Sequence, residues 1–165
     1  RQFWNALFGS RKDLTSEALL TYLAPAQEQL FRRMQTSEQN HAYQILKRLE
    51  IAGQTDPDLL AAALLHDVGK ILYPLSTIDR VMIVLGKHFF RRAAQRWGEG
   101  TPSGVRRPFV VAERHAEWGA DLAARADATS RTVELIRRHQ EPLLPPPFSQ
   151  TERLLAALQA ADDKS

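Results

Sequence analysis

Apolar residues recur at the helical period along almost the whole 165-residue chain, with start and stop residues between the periodic runs. "LAPAQEQLFRRM" has Pro25 near a helix start, where a missing N–H does no harm, and puts Leu23, Leu30, Phe31 and Met34 on an inner face. "TSEQNHAYQILKRLEIAG" opens on Thr36 with Gln39 three residues on, a capping-box pattern, and stops at Gly53. His41 falls in its second turn, with Ile45 four residues later on the same face. "TDPDLLAAALLHDVGK" starts with Asp56 as a cap and Pro57 at the first helical position. It is apolar on every side from Leu59 to Leu65, the mark of a central helix, and Gly69 ends or bends it just after His66 and Asp67.

"STIDRVMIVLGKHFFRRAAQRWGEG" reads as one helix, with Ser76 and Asp79 at capping positions and Ile78, Met82, Leu85 and Phe89 on a buried stripe. It breaks at the Gly/Pro loop "GEGTPSG". "RPFVVAERHAEWGADLAARA" is a further helix holding His115, and "TSRTVELIRRHQ" another with His139 near its C-terminal end. "EPLLPPP" is a loop, because successive prolines cannot continue a helix. The last helix has Ser149 and Glu152 as a capping box and brings Asp162 near the end of the chain. With no period-two strand and no internal repeat, the pattern predicts an all-α fold, an irregular helical bundle of about seven helices.

Composition narrows the chemistry. The length suits one domain with a sizeable core, and 44% hydrophobic with 25% charged residues is ordinary for a globular protein. The net charge of +3 is as compatible with a phosphate-bearing ligand as with a solvated surface. The absence of cysteine excludes a disulfide framework, a thiolate nucleophile and a cysteine-based zinc site. No apolar run reaches the roughly 18 residues of a membrane segment, and the default expectation for localisation is cytoplasmic.

Four of the five histidines, His41, His66, His115 and His139, lie beside apolar neighbours in different helices, together with Asp67 and Asp162. A carboxylate in an apolar setting is costly unless it is paired or binds a metal, and Asp67 has no cation close before it in its helix. Imidazole nitrogens mixed with carboxylate oxygens suit zinc, iron, manganese and related ions. Each histidine alone reads as a core residue bonded to a carbonyl. The set, spread over five helices, reads as a metal site in a bundle core.

The sequence resembles the HD-domain superfamily of metal-dependent phosphohydrolases. "LLHDVGK" is similar to the "LLHDIGK" form of the branch that includes the HD-GYP cyclic-dinucleotide phosphodiesterases. "NHAYQILKRL" fits the family's first histidine at His41, and "AALLHDVGK" its doublet at His66 and Asp67. "RHAEWGADLA" resembles the segment that carries a ligand, here His115. "IRRHQE" fits the next at His139, with Gln140 where that branch often has a second histidine. "LLAALQAADD" resembles the closing segment and makes Asp162 the last ligand, with Asp163 its less favoured substitute. The series runs from about residue 37 to 163, without a "GYP" tripeptide and with an extra basic helix and Gly/Pro loop between Lys70 and Arg114. On this basis residues 1–35 are expected to form an N-terminal helical extension and residues 36–165 the phosphohydrolase domain.

The resemblance implies two divalent ions. His41, His66, Asp67 and Asp162 would hold one and His115 and His139 the other, with Asp67 as bridge and a metal-activated water as nucleophile. Asp67 and Lys70 are the expected catalytic residues. Lys70, Arg114 and Arg138 are candidates for the substrate phosphate, with Arg137 beside them. The substrate would be a nucleotide, a cyclic dinucleotide or another small phosphate ester. The competing reading is a catalytically silent, metal-containing module that binds a nucleotide or a partner. "KHFFRRAAQR" interleaves basic and aromatic residues, but no nucleic-acid motif accompanies it, so nucleic acid is not an expected partner and a helix face against the protein or a partner is. His88 matches no family position, and Trp118 either walls the site or fills the core. Nothing in the sequence bears on oligomeric state.

Overall fold

A computed structural model describes residues 19–145 and 149–163. The part of the expected N-terminal extension before residue 19 lies outside the described residues. Eight α-helices and two short 3₁₀ turns follow in order, and the described residues contain no strand, so the fold is all-α as the periodicity predicts. They are α1 (Pro25–Arg32), α2 (Thr36–Ile51), α3 (Pro57–Leu65), α4 (Thr77–Phe89), α5 (Arg91–Gly98), α6 (Arg107–Arg125), α7 (Ser130–Arg138) and α8 (Gln150–Asp162). One 3₁₀ turn, Val68–Leu72, follows α3, and the other, Gly104–Arg106, precedes α6.

Helix α3 is the axis of the molecule. The Asp56 carboxylate accepts from the Asp58 and Leu59 backbone N–H groups, Pro57 opens the first turn, and Leu59 through Leu65 are all buried. A helix with no polar face must be covered all round, and α1, α2, α7 and α8 cover it. Leu19, Leu23, Phe31 and Met34 from the N-terminal side join the same core as Ile45, Ile136 and Leu155. Two side chains tie the outer helices to one another. Arg48 donates to the Ala161 carbonyl, joining α2 to the end of α8, and Gln159 donates to the carbonyls of His139 and Glu141, joining α8 to the end of α7.

Three local expectations need correction. The cap of α2 lies one residue before Thr36: Gln35 is the N-cap, and its N–H donates to Glu38 rather than Gln39 standing as the box partner. The Ser149 cap of α8 is as expected, but the Glu152 carboxylate turns away to Arg138 and the Leu144 N–H. The long helix from Ser76 breaks at Phe90, which leaves helical geometry at φ −135 and ψ 42. The reason lies in aromatic packing. The Phe109 ring sits so close to Gly86 that a Cβ there would meet it at 2.4 Å, and the break lets Trp97 fold back to 5.1 Å from the same ring. As a result Ile78, Leu85 and Phe89 are not a buried stripe: all three are exposed, and α4 faces inward through Met82, Ile83 and Gly86.

Candidate metal centre

The site forms where α2, the end of α3, α6, the end of α7 and the end of α8 converge. His66 is the C-cap of α3, and Asp67 follows in a bridge conformation (φ −95, ψ 2) before the 3₁₀ turn. That turn runs directly over α6. A Cβ at Gly69 would lie 2.0 Å from the His115 carbonyl oxygen, so only glycine lets the "HDVG" backbone approach closely enough to set Asp67 beside His115.

Three buried imidazoles share one local pattern. Nδ1 of His66 lies 3.0 Å from the Ala63 carbonyl, that of His115 2.9 Å from Val111, and that of His139 2.7 Å from Ile136. A carbonyl only accepts, so the proton sits on Nδ1 and each Nε2 offers a lone pair to the interior. Burial lowers the pKa of His66 and takes His139 down to about 3, which keeps both rings neutral and able to ligate. Nε2 of His66 and of His115 are buried without a hydrogen-bond partner.

The carboxylates face those lone pairs. Asp67 Oδ1 lies 3.1 Å from His115 Nε2, and Oδ2 lies 3.5 Å from His66 Nε2 and 2.6 Å from Lys70 Nζ. With the imidazole proton on the far nitrogen, the His115–Asp67 approach sets an acceptor against an acceptor, which a cation between them resolves. Burial alone would raise the Asp67 pKa, but the Lys70 ammonium beside it holds it well below the usual carboxylate range. Lys70 therefore meets part of the cost that the sequence assigns to a metal alone. At the other end His41 Nε2 lies 3.0 Å from Asp162 Oδ1. Burial raises the Asp162 pKa, the His41 contact outweighs it, and the net shift is downward, while Asp163 is exposed.

The donors fall into two overlapping groups, His41 with His66 and Asp67, and Asp67 with His115 and His139, each with its donor atoms within 4.8 Å of one another. Asp67 belongs to both. Orphaned imidazole nitrogens, an ionised buried carboxylate and this sharing are a donor set that fits divalent first-row ions.

The HD domain family model matches residues 39–163, from just before His41 to just after Asp162. The chain belongs to the HD domain family. No curated protein and no solved structure matches it significantly. HD domains bind divalent metals and are characteristically metal-dependent phosphohydrolases. Of the six residues singled out in the sequence, His41, His66, Asp67, His115 and His139 fall in the two donor groups, and Asp162 lies outside both, in contact with His41.

Around the HD centre the cations divide. Lys70 and Arg80 line a cleft of about 230 Å³ together with Glu38, Ala112, His115 and Gln140. Arg138 is held by Glu134, Glu141 and Glu152, and Arg137 by Asp121. Arg114 pairs with Glu117 and lies over the half-buried Trp118, whose ring also meets Tyr73. His88 is exposed and packs on Phe89, away from the centre.

Glu38 and Arg80 are absent from the sequence reading. Arg80 reaches from α4 to Gln35, Ser37 and Glu38 at the start of α2, closing one wall of the cleft. The Glu38 pKa is raised, chiefly by burial and also by Asp67, against the opposing pull of Lys70 and Arg80. Its signal in the sequence was a carboxylate three residues before a candidate ligand, hidden behind the capping pattern.

Proposed function

We propose that this HD domain hydrolyses the phosphate ester of a nucleotide, a cyclic dinucleotide or a comparable small molecule, with two divalent ions held by His41, His66, Asp67, His115, His139 and Asp162. The observation that carries this reading is the sharing of Asp67 between two histidine groups whose Nε2 atoms converge. Iron, manganese and zinc all suit that donor set. The ions supply Lewis acidity, lowering the pKa of water and offsetting phosphate charge.

The chain's own residues do the rest. The three Nδ1–H bonds to helix carbonyls hold the imidazoles in the ligating tautomer and orientation. Lys70 lines the cleft, where its ammonium can pair with a phosphate oxygen, and Arg80 lines it as a second cation. The cleft is smaller than the roughly 300 Å³ at which drug-sized pockets begin, so it suits a phosphoryl group with its nearest sugar or alcohol, the remainder lying outside. The "HDVGK" form favours the branch that contains the HD-GYP phosphodiesterases, and the lack of a "GYP" tripeptide leaves diester and monoester substrates both to be tested.

The decisive experiment is elemental analysis of protein purified without chelator or affinity-column metal, beside Asp67→Ala, followed by turnover of bis-p-nitrophenyl phosphate and p-nitrophenyl phosphate. About two ions per chain, lost in the variant, with turnover of either ester, is the expected result. Metal without turnover of any nucleotide or phosphate ester would make the domain a binding module. No metal, even after adding manganese or ferrous iron, would leave the fold alone.

A further inference from the structure

The break at Phe90 leaves an apolar face that no described part of the chain covers. Val81, Phe89, Phe90 and Val105 are 51%, 66%, 64% and 77% exposed on α4, on the turn into α5 and on the 3₁₀ turn before α6. Behind them an open groove of about 490 Å³ is walled almost wholly by apolar side chains, Met82, Leu85, Phe90, Trp97, Val105 and Phe109, with Arg106 as its cation. It adjoins a second cleft, of about 340 Å³, through Trp97 and Arg106, and there Arg96 joins Arg106. Both arginines are exposed, and neither has an ion-pair partner among the described residues. The sequence around the break carries further positive charge: Lys87, Arg91 and Arg92 fall between residues 81 and 95, with no Asp or Glu among them.

We propose that this face docks on an anionic phospholipid bilayer. Its two parts match the two parts of such a surface. The exposed phenylalanines and valines can enter the boundary between headgroups and acyl chains, and the cleft of Arg96, Trp97 and Arg106 can receive a lipid phosphate beside them. Trp97, with an apolar ring and a polar N–H, stands between the groove and the cleft, where an interfacial tryptophan is favoured. A second copy of the chain is the poorer occupant, because a two-fold contact would set the arginines of this face against one another, with no carboxylate lining the groove or the cleft. The mode is peripheral, since no helix among the described residues is long and apolar enough to cross a membrane.

The test is co-sedimentation of the full chain with vesicles of phosphatidylcholine alone and of phosphatidylcholine containing phosphatidylglycerol. Partitioning onto the anionic vesicles should exceed that onto neutral ones by about tenfold or more, and should fall as salt rises. Arg96→Gln with Arg106→Gln should reduce it to the neutral level, and Phe89→Asp should weaken it on both vesicles. Both variants change exposed side chains, and unchanged circular dichroism and melting temperature would show that the fold is intact. Equal partitioning onto both vesicles, no partitioning onto either, or arginine variants that bind as wild type would overturn the proposal. So would a wild-type dimer in sedimentation velocity that Phe89→Asp dissociates, because a second copy would then cover the face.

Discussion

Gly69 lies against the backbone of His115 at a distance that excludes a side chain: its Cβ would sit 2.0 Å from the His115 carbonyl oxygen and 2.7 Å from the Gly119 nitrogen. The neighbours are backbone atoms of a 19-residue helix, which cannot step aside as a flexible side chain could. Gly69→Ala should therefore separate the 3₁₀ turn from α6, destabilise the fold by about 2–4 kcal/mol and weaken metal binding by moving Asp67 away from His115. Chemical denaturation and metal titration check this. Gly53→Ala is the control: it has open space around it and strain only from its positive φ, so its cost should be about 1 kcal/mol with metal binding intact.

The shared position of Asp67 predicts unequal losses. Asp67→Ala should abolish both ions, because each donor group loses its carboxylate. His139→Ala should spare the group of His41, His66 and Asp67 and leave about one ion per chain, and His41→Ala should do the reverse. Asp162→Ala should resemble His41→Ala, while Asp163→Ala, at an exposed position, should keep both. Metal stoichiometry by elemental analysis across the five variants separates this arrangement from a single mixed site, in which any of the four ligand losses would remove all the metal.

Most of the helices were legible because apolar spacing, Pro57 and the caps at Asp56 and Ser76 are local signals. The position of the "HD" pair was legible too, since α3 has no polar face along which the chain could turn outward. What escaped depended on tertiary contact. Phe89 has the right spacing for a buried stripe, yet the break at Phe90 follows from where Phe109 of another helix sits, and periodicity within one segment cannot report that. Glu38 and Arg80 meet across a gap of more than forty residues, so neither carries a local pattern. Arg138 next to His139 looked like a hand for phosphate, but the carboxylates of Glu134, Glu141 and Glu152 surround it.

Lys70 separates metal binding from turnover. Its ammonium lies 2.6 Å from Asp67 Oδ2, so removing it takes a positive charge away from the carboxylate that both donor groups share. Lys70→Ala should therefore bind divalent metal at least as tightly as wild type. If Lys70 also receives the substrate phosphate, kcat/KM should fall by about 10–100-fold, the range expected for a lost charged hydrogen bond. Arg80→Ala should lower kcat/KM by less, since the guanidinium is already held by Gln35, Ser37 and Glu38. Isothermal metal titration and steady-state kinetics on the same preparations test both halves. A Lys70 variant that loses metal would show instead that its ion pair with Asp67 organises the centre.

Acid should unfold the metal-free domain through its buried histidines. His139 has a folded-state pKa of about 3 against 6.5 for the free side chain, and His66 is shifted the same way, in both cases chiefly by burial. Between those values the unfolded chain takes up protons that the folded chain refuses, so stability rises with pH there and is lost as pH falls. The contribution is fully present above about pH 6.5 and is lost on acidification, by about 1 kcal/mol per pH unit for His139 and in the same direction for His66. The lowered pKa values of Asp67 and Asp162 act in the same direction below the usual carboxylate range. Chelator-treated protein should therefore melt at a markedly lower temperature at pH 5 than at pH 7. His139→Gln should flatten part of that dependence, because the amide does not titrate while it can still donate to the Ile136 carbonyl. Bound metal should steepen it in wild type, since protons and metal compete for the same Nε2 atoms. A melting temperature that stays level from pH 7 to pH 5 without metal would mean that these imidazoles are not held neutral by burial.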